Sequence, residues 1–176
     1  QLGVPVIVST GMTTLEEVKT IVDLFERRGN ADKLTVLHCV SLYPCGLNES
    51  QLGAIQALRE LNVDYGYSDH TSDSVSSAIA VALGARVLEK HFTFDKRRPG
   101  FDHKYALSPE QLHDYVSVVR AAKRSMEFDG ASRPAAEMET AVRARRGLYA
   151  ARDLDAGTEL QSSDVDVIRP SGPLAA

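Results

Sequence analysis

Val63-Asp64-Tyr65-Gly66-Tyr67-Ser68-Asp69-His70 and Ala85-Arg86-Val87-Leu88-Glu89-Lys90-His91-Phe92 are two short runs joined by a segment of helical pattern. Each carries a histidine at or next to its end. A strand–helix–strand crossover makes the two strands parallel, so their C-terminal ends lie on the same side of the sheet. His70 and His91 are thereby directed at one small volume. Two imidazoles with positions left open for water and substrate suit a divalent transition metal. The alternative is two unrelated histidines, one capping a helix and one packed in the interior. Asp69 also has two readings, as a partner that steers His70 or as a cap for the next helix.

The same pattern extends in both directions. Upstream, Val4-Pro5-Val6-Ile7-Val8 is a continuous apolar run and reads as a strand buried on both faces. After Ser9-Thr10-Gly11, Thr13 and Thr14 each stand three residues before a glutamate, a capping-box spacing, and Leu15, Val18, Val22 and Phe25 follow at helical intervals up to Gly29. Leu34 to Val40 form the second strand and lead into Ser41-Leu42-Tyr43-Pro44, with Leu52, Ile55 and Leu58 marking its helix. His38 lies inside that strand and reads as a core histidine. The helix inside the crossover starts near Ser72-Asp73-Ser74 and is expected to bury Val75, Ile79 and Leu83, with Gly84 as its stop.

Downstream, Asp95-Lys96-Arg97-Arg98-Pro99-Gly100 is a charged loop whose arginines either attract an anion or are simply solvated. The Pro-Gly turn folds Asp102 back over the strand ends. Ser108-Pro109-Glu110-Gln111 opens a helix with an apolar face of Leu112, Tyr115, Val116, Val119 and Ala122.

Strand–helix units beginning near residues 4, 34, 63 and 85 give an α/β fold with parallel strands. Ser9, Ser41, Tyr43, Ser68, His70 and His91 all fall at strand C-terminal ends, where parallel α/β folds build their sites. No GxGxxG or P-loop stands at any of these turns, which weakens a dinucleotide-binding reading. The C-terminal half of a (β/α)8 TIM barrel fits better than a complete small sheet. Residues 1–126 form this half, 127–146 a linker, and 147–176 a further segment with strand-like Leu148-Tyr149-Ala150-Ala151 and Val165 to Pro170. That last segment is too short for a core of its own. A half-barrel alone would expose strand edges and an apolar interior, and should dimerise or aggregate.

A net charge of −4 leaves no basic footprint for nucleic acid, and no apolar run approaches the ~20 residues needed to span a bilayer. The start Gln1-Leu2-Gly3-Val4-Pro5 is not a signal peptide; without an initiator methionine, and opening almost in a strand, it reads as part of a longer protein. The two cysteines, Cys39 and Cys45, lack CxxC spacing and read as reduced thiols in a cytoplasmic protein.

The series PVIVSTGM (5–12), LHCVSLYP (37–44), GYSDHT (66–71), LEKHFTFD (88–95), RPGFDH (98–103) and LSPEQL (107–112) resembles the C-terminal half of the sialic acid synthase catalytic barrel. That family includes the legionaminate and pseudaminate synthases. The tail from Arg145 to Pro170 is similar to the start of its antifreeze-like (SAF) domain. The resemblance implies condensation of phosphoenolpyruvate with N-acetylmannosamine or a related N-acetylated hexosamine. It implies that His70 and His91 bind a divalent metal, manganese by preference with magnesium possible, and that Asp102 bonds the sugar. Ser41 and Tyr43 would line the pocket, while Ser9 and Ser68 would hold the phosphate or carboxylate of phosphoenolpyruvate. It further implies a homodimer.

The chain also departs from that family. It has no counterpart of four earlier units, a first-strand glutamate, phosphate-binding lysines, or a further glutamate beside the metal. Most of the SAF domain is missing as well. Phe101 stands where proline is frequent, and Ser171 where glycine usually follows Arg-Pro. The 176-residue chain is therefore expected to be inactive alone and its full-length parent to be a synthase. His38 leans toward the sialic or legionaminic branch, and the sugar stays open. One competing reading is a non-catalytic half-barrel acting in sugar binding or assembly. Another is an aldolase-type lyase, which needs a Schiff-base lysine. Lys90 precedes His91 on its strand and so points to the opposite face.

Overall fold

Four parallel strands, β1 (Val6–Ser9), β2 (Leu34–Cys39), β3 (Asp64–Asp69) and β4 (Val87–Lys90), pair in sequential order. The structure, a computed structural model, describes residues 3–128, 130 and 133–169. The expectations placed on Gln1, Leu2, three linker residues (Asp129, Ala131, Ser132) and the chain from Pro170 onward lie outside the described residues. The order 1-2-3-4 never reverses, so these strands contain no topological switch point; the arrangement is that of consecutive units of a barrel wall.

Helix α1 (Leu15–Arg27) starts where local chemistry allows it. Thr14 is the N-cap: its hydroxyl accepts from the Glu17 amide at 3.3 Å, and the Glu17 carboxylate accepts the Thr14 amide at 2.7 Å. The Thr14 amide and, at 2.9 Å, the Thr14 hydroxyl both donate to the Glu17 carboxylate and hold it below its usual range. Helix α4 (Pro109–Ser125) begins with the same reciprocal pair between Ser108 and Gln111, and proline occupies its first turn. Helices α2 (Ala54–Arg59) and α3 (Val75–Ala82) complete the covering layer.

The core lies between the helices and one face of the sheet. Val18 and Val22 of α1 pack on Leu34 and Val36 of β2 with Leu58 and Val63, and Ile55, Tyr67 and Ala80 form a second cluster. Alternation along β2 thus sends Leu34, Val36 and His38 toward the helices and Leu37 and Cys39 to the opposite, concave face.

Two expectations are corrected. The first strand is not buried on both faces, because Ile7 is 55% exposed. Among the described residues β1 pairs only with β2, so just its helix-facing side, Val6 and Val8, is covered. In α3 the buried residues are Ser76, Ser77 and Ala80, while Val75 and Ile79 are 51% and 44% exposed. The sheet beneath that helix presents the carboxylate of Asp69, 1% exposed. A buried carboxylate is costly unless its oxygens are fully hydrogen-bonded, so the helix turns its hydroxyls inward to meet it.

The chain divides into compact units at 127/128. In the second, α5 (Ala135–Ala144) precedes an antiparallel pair, β5 (Gly147–Ala150) with β6 (Val165–Ile168). Asp164, 3% exposed, anchors the intervening loop by accepting from Arg152 at 2.8 Å and from the Gln161 amide at 3.0 Å. Among the described residues no helix is long and apolar enough to cross a membrane.

Candidate active site

Cys39, Ser68 and Glu89 pair in one row across β2, β3 and β4. Side chains alternate along a strand, so His70 and His91 lie on the same face one step further toward the strand ends. Their ring centroids are 5.1 Å apart and their planes are inclined at 73°. The crossover puts both strand ends on one side of the sheet, and the register of Asp69 with Lys90 then sets the two histidines side by side.

His70 is oriented by its backbone surroundings. Its Nδ1 is 3.0 Å from the Val40 carbonyl, which makes Nδ1 the donor and leaves the Nε2 lone pair free for a ligand. Burial would lower its pKa, but the contacts with Cys39 and Val40 outweigh this and hold it above the ordinary imidazole value. The His70 carbonyl accepts the Cys45 amide at 2.9 Å, and the His91 carbonyl accepts the Leu107 amide at 2.9 Å. Asp102, in a single 3₁₀ turn, places Oδ1 3.8 Å from His91 Nδ1. That is ion-pair range, too long for a hydrogen bond.

Tyr43 closes the group, with its ring 4.3 Å from His70, 5.7 Å from His91 and 5.9 Å from Phe101. Burial first, then the charges of Cys39, Asp102 and Glu89, push its phenol up, so it stays protonated and able to donate. Ser41 lies beside Cys39 at 3.8 Å, and a Cβ on Gly11 would collide with the Ser41 hydroxyl. Glycine at position 11 is what lets the Ser9-Thr10-Gly11 turn pass this close.

Ser68 is 2% exposed and donates a 2.6 Å hydrogen bond to Glu89 Oε1. Glu89 was missed in the sequence, and the expectation that this chain brings no further glutamate to the site is corrected. Its signal was period two: Glu89 is two residues before His91 and shares its face. Cys39 was also undervalued. Both cysteines are free and buried, as expected. Yet Cys39 stands among Ser9, Ser41 and His70, whose hydrogen bonds overcome the effect of burial and bring its thiol down to about 7.

The other sequence candidates separate from this group. His38 faces the helices, 6% exposed, with Nε2 2.8 Å from the Ser50 carbonyl, so it does not line the concave face. Arg97 is 90% exposed and holds Asp95 in a bidentate pair, as a solvated loop arginine does. Lys90 lies behind the sheet in an ion pair with Asp69, 6% exposed, which removes it as a Schiff-base candidate. Asp69 itself neither touches His70 nor caps α3 by its N-terminal amides; it gathers the hydroxyls of Thr71, Ser76 and Ser77. A larger crevice of about 510 Å3, between α1 and α2, includes Thr10, Leu15 and Ala54, and shares Cys39 and Ser41 with the site. Volume favours the crevice, but the paired histidines, carboxylates and phenol lie at the strand ends.

The NeuB family profile matches residues 1–130. The chain belongs to the NeuB family. Among relatives, this NeuB chain is 38% identical over 177 residues to the N,N'-diacetyllegionaminic acid synthase of Legionella pneumophila, covering 97% of this chain and 49% of that protein. It is 37% identical over 168 residues to a pseudaminic acid synthase of Campylobacter jejuni, covering 95% of this chain and 48% of that one. In structure it is similar to the N-acetylneuraminic acid (sialic acid) synthetase of Leptospira borgpetersenii, with a TM-score of 0.69, 31% identity, and coverage of 77% of this chain and 47% of that chain. The chain spans about half the length of the curated relatives it matches. The four-stranded unit is thus a partial TIM barrel of the NeuB type.

Proposed function

We propose that this chain forms the second half of a synthase barrel that condenses phosphoenolpyruvate with N-acetylmannosamine or a related 2-acetamido sugar, giving a nonulosonate and phosphate. The observation that carries the reading is the meeting of His70 and His91 under Tyr43, with Asp102 beside His91, in a NeuB chain. The synthase names of its relatives supply the reaction class.

Among the described residues no three His, Cys, Asp or Glu side chains are grouped to hold an ion, so these residues bring two imidazoles to the site. They fit a divalent metal, manganese by preference or magnesium, because His70 already presents the ligand-competent tautomer and water or substrate can fill the other positions. When bound, such an ion would supply Lewis acidity toward the sugar aldehyde.

The remaining roles belong to the chain. Asp102, exposed on its turn, accepts hydrogen bonds from sugar hydroxyls. Tyr43 packs over the reacting groups, excludes water and donates from its phenol. Ser41 lines the same pocket. Ser9 and Ser68 hold the phosphate or carboxylate of phosphoenolpyruvate, Ser68 by turning its hydroxyl away from Glu89. The reaction forms a bond from C3 of phosphoenolpyruvate to the aldehyde carbon; water adds at C2 and phosphate leaves with cleavage of its C–O bond. The residues before this chain's counterpart in its relatives supply the other half of the barrel, and the β5–β6 pair opens a SAF domain. The full-length enzyme works as a homodimer in the cytoplasm.

Phosphate release by the full-length protein tests this. Release requiring both phosphoenolpyruvate and an N-acetylated hexosamine, abolished in a His70→Ala, His91→Ala variant, is the expected result. Release with phosphoenolpyruvate alone, or activity that survives the double substitution, overturns it.

A further inference from the structure

Asp69 and Lys90 form the last paired position of β3 and β4, directly before the two histidines. Their side chains point to the helix side of the sheet and are 0% and 6% exposed, with Lys90 Nζ 3.0 Å from Asp69 Oδ2. The ammonium also donates at 2.5 Å to the carbonyl of Thr71, so Lys90 grips the residues on both sides of His70. Its third neighbour is the ring of Tyr115, whose centroid is 5.4 Å away. The carboxylate is as fully occupied. Oδ1 accepts the Thr71 amide and hydroxyl, both at 2.8 Å, and the Ser76 hydroxyl at 3.3 Å; Oδ2 accepts the Ser77 hydroxyl at 2.8 Å. Tyr115 of α4 closes the network through a hydrogen bond to Ser77.

A buried pair of this kind gains little net stability over apolar residues of the same volume, because desolvating both charges offsets their attraction. Its value lies in direction. An apolar contact is satisfied by many offsets between two strand ends; a charge that must reach a carboxylate and a carbonyl at once accepts very few. The regular ladder stops at this pair, just where His70 and His91 need a defined separation.

We propose that Asp69 and Lys90 are a positioning pair that sets the spacing and orientation of His70 and His91 from behind the sheet. The inference rests on the reading of those histidines as a metal site. Neither residue touches substrate; they act through the two imidazoles.

The test uses the full-length protein as encoded, with Asp69→Leu, Lys90→Met as a double variant of similar volume and Lys90→Arg as the charge-preserving control. The double variant takes the acceptor from the Thr71 amide and the Ser77 hydroxyl, so its midpoint falls, but it is expected still to unfold cooperatively and to bind manganese roughly tenfold to a hundredfold more weakly. Lys90→Arg recovers most of that affinity. In metal-free protein the imidazole resonances of His70 and His91 move in the double variant, while those of His38 stay put. Parent affinity with unmoved resonances overturns the proposal, as does a double variant that no longer folds, since the pair would then be structural. If the parent itself takes up no manganese, the metal reading of the site fails separately. The metal-free resonances still decide the positioning claim, supporting it if displaced and overturning it if not.

Discussion

The hydroxyl of Ser68 donates to the carboxylate of Glu89 at 2.6 Å, linking β3 to β4 one step below the two histidines. A residue expected to bind an anion is therefore already engaged by a carboxylate of its own sheet. On the proposed function, phosphoenolpyruvate would draw the hydroxyl away from Glu89 or bind with that side chain displaced. Glu89→Gln is expected to lower KM for phosphoenolpyruvate severalfold and Ser68→Ala to raise it. A double-mutant cycle on stability should give a coupling of about 1 kcal/mol, a charge-assisted bond partly open to solvent. Zero coupling and unchanged KM would separate the pair from the substrate.

Metal binding by this chain is a direct measurement. Manganese titrated calorimetrically should bind with His70 and His91 present, and weaken by at least about a hundredfold when both are alanine. Equal heats from parent and variant would place any bound ion elsewhere.

Helix α3 offers a test of which face is buried. Ser77→Val leaves Asp69 one donor short, and should cost about 1–3 kcal/mol in urea unfolding. Ile79→Ser, on the exposed side, should stay within about 0.5–1 kcal/mol. The opposite ranking would restore the apolar face read from the sequence.

His38 gives stability a pH dependence. Burial holds its pKa below the ordinary 6.5, only partly countered by the Ser50 carbonyl. As pH falls below 6.5 the unfolded chain takes up a proton that the folded chain refuses, so stability is full above that value and declines on acidification toward the lower folded value. His38→Gln, which can still donate to Ser50, should flatten that part of the melting-temperature profile. An unchanged slope would mean that His38 is not the group responsible.

Much of the fold was legible because it is encoded locally. Thr14 and Ser108 announce their helices through side chains that reach only three residues along the chain. The parallel order of the strands follows from crossovers that each contain a helix. The same rule puts His70 and His91 at one end of the sheet, and the register of β3 with β4 brings them together. Glu89 was legible too, since alternation puts it on the face of His91.

Residue order alone encodes the strand–helix succession, the end of the sheet where polar residues collect, and the two histidines at that end. What lies opposite what is set by packing and strand register. Which face of α3 turns inward depends on the carboxylate of Asp69 beneath it, and the engagement of Ser68 depends on its register with Glu89. The setting of Cys39 depends on Ser9, Ser41 and His70, which come from three different strand ends. The reason is physical. Caps and periodicity act between neighbours in the chain, whereas burial of a charge, pairing across strands and the titration of a thiol depend on groups that only the packed sheet brings within hydrogen-bonding distance.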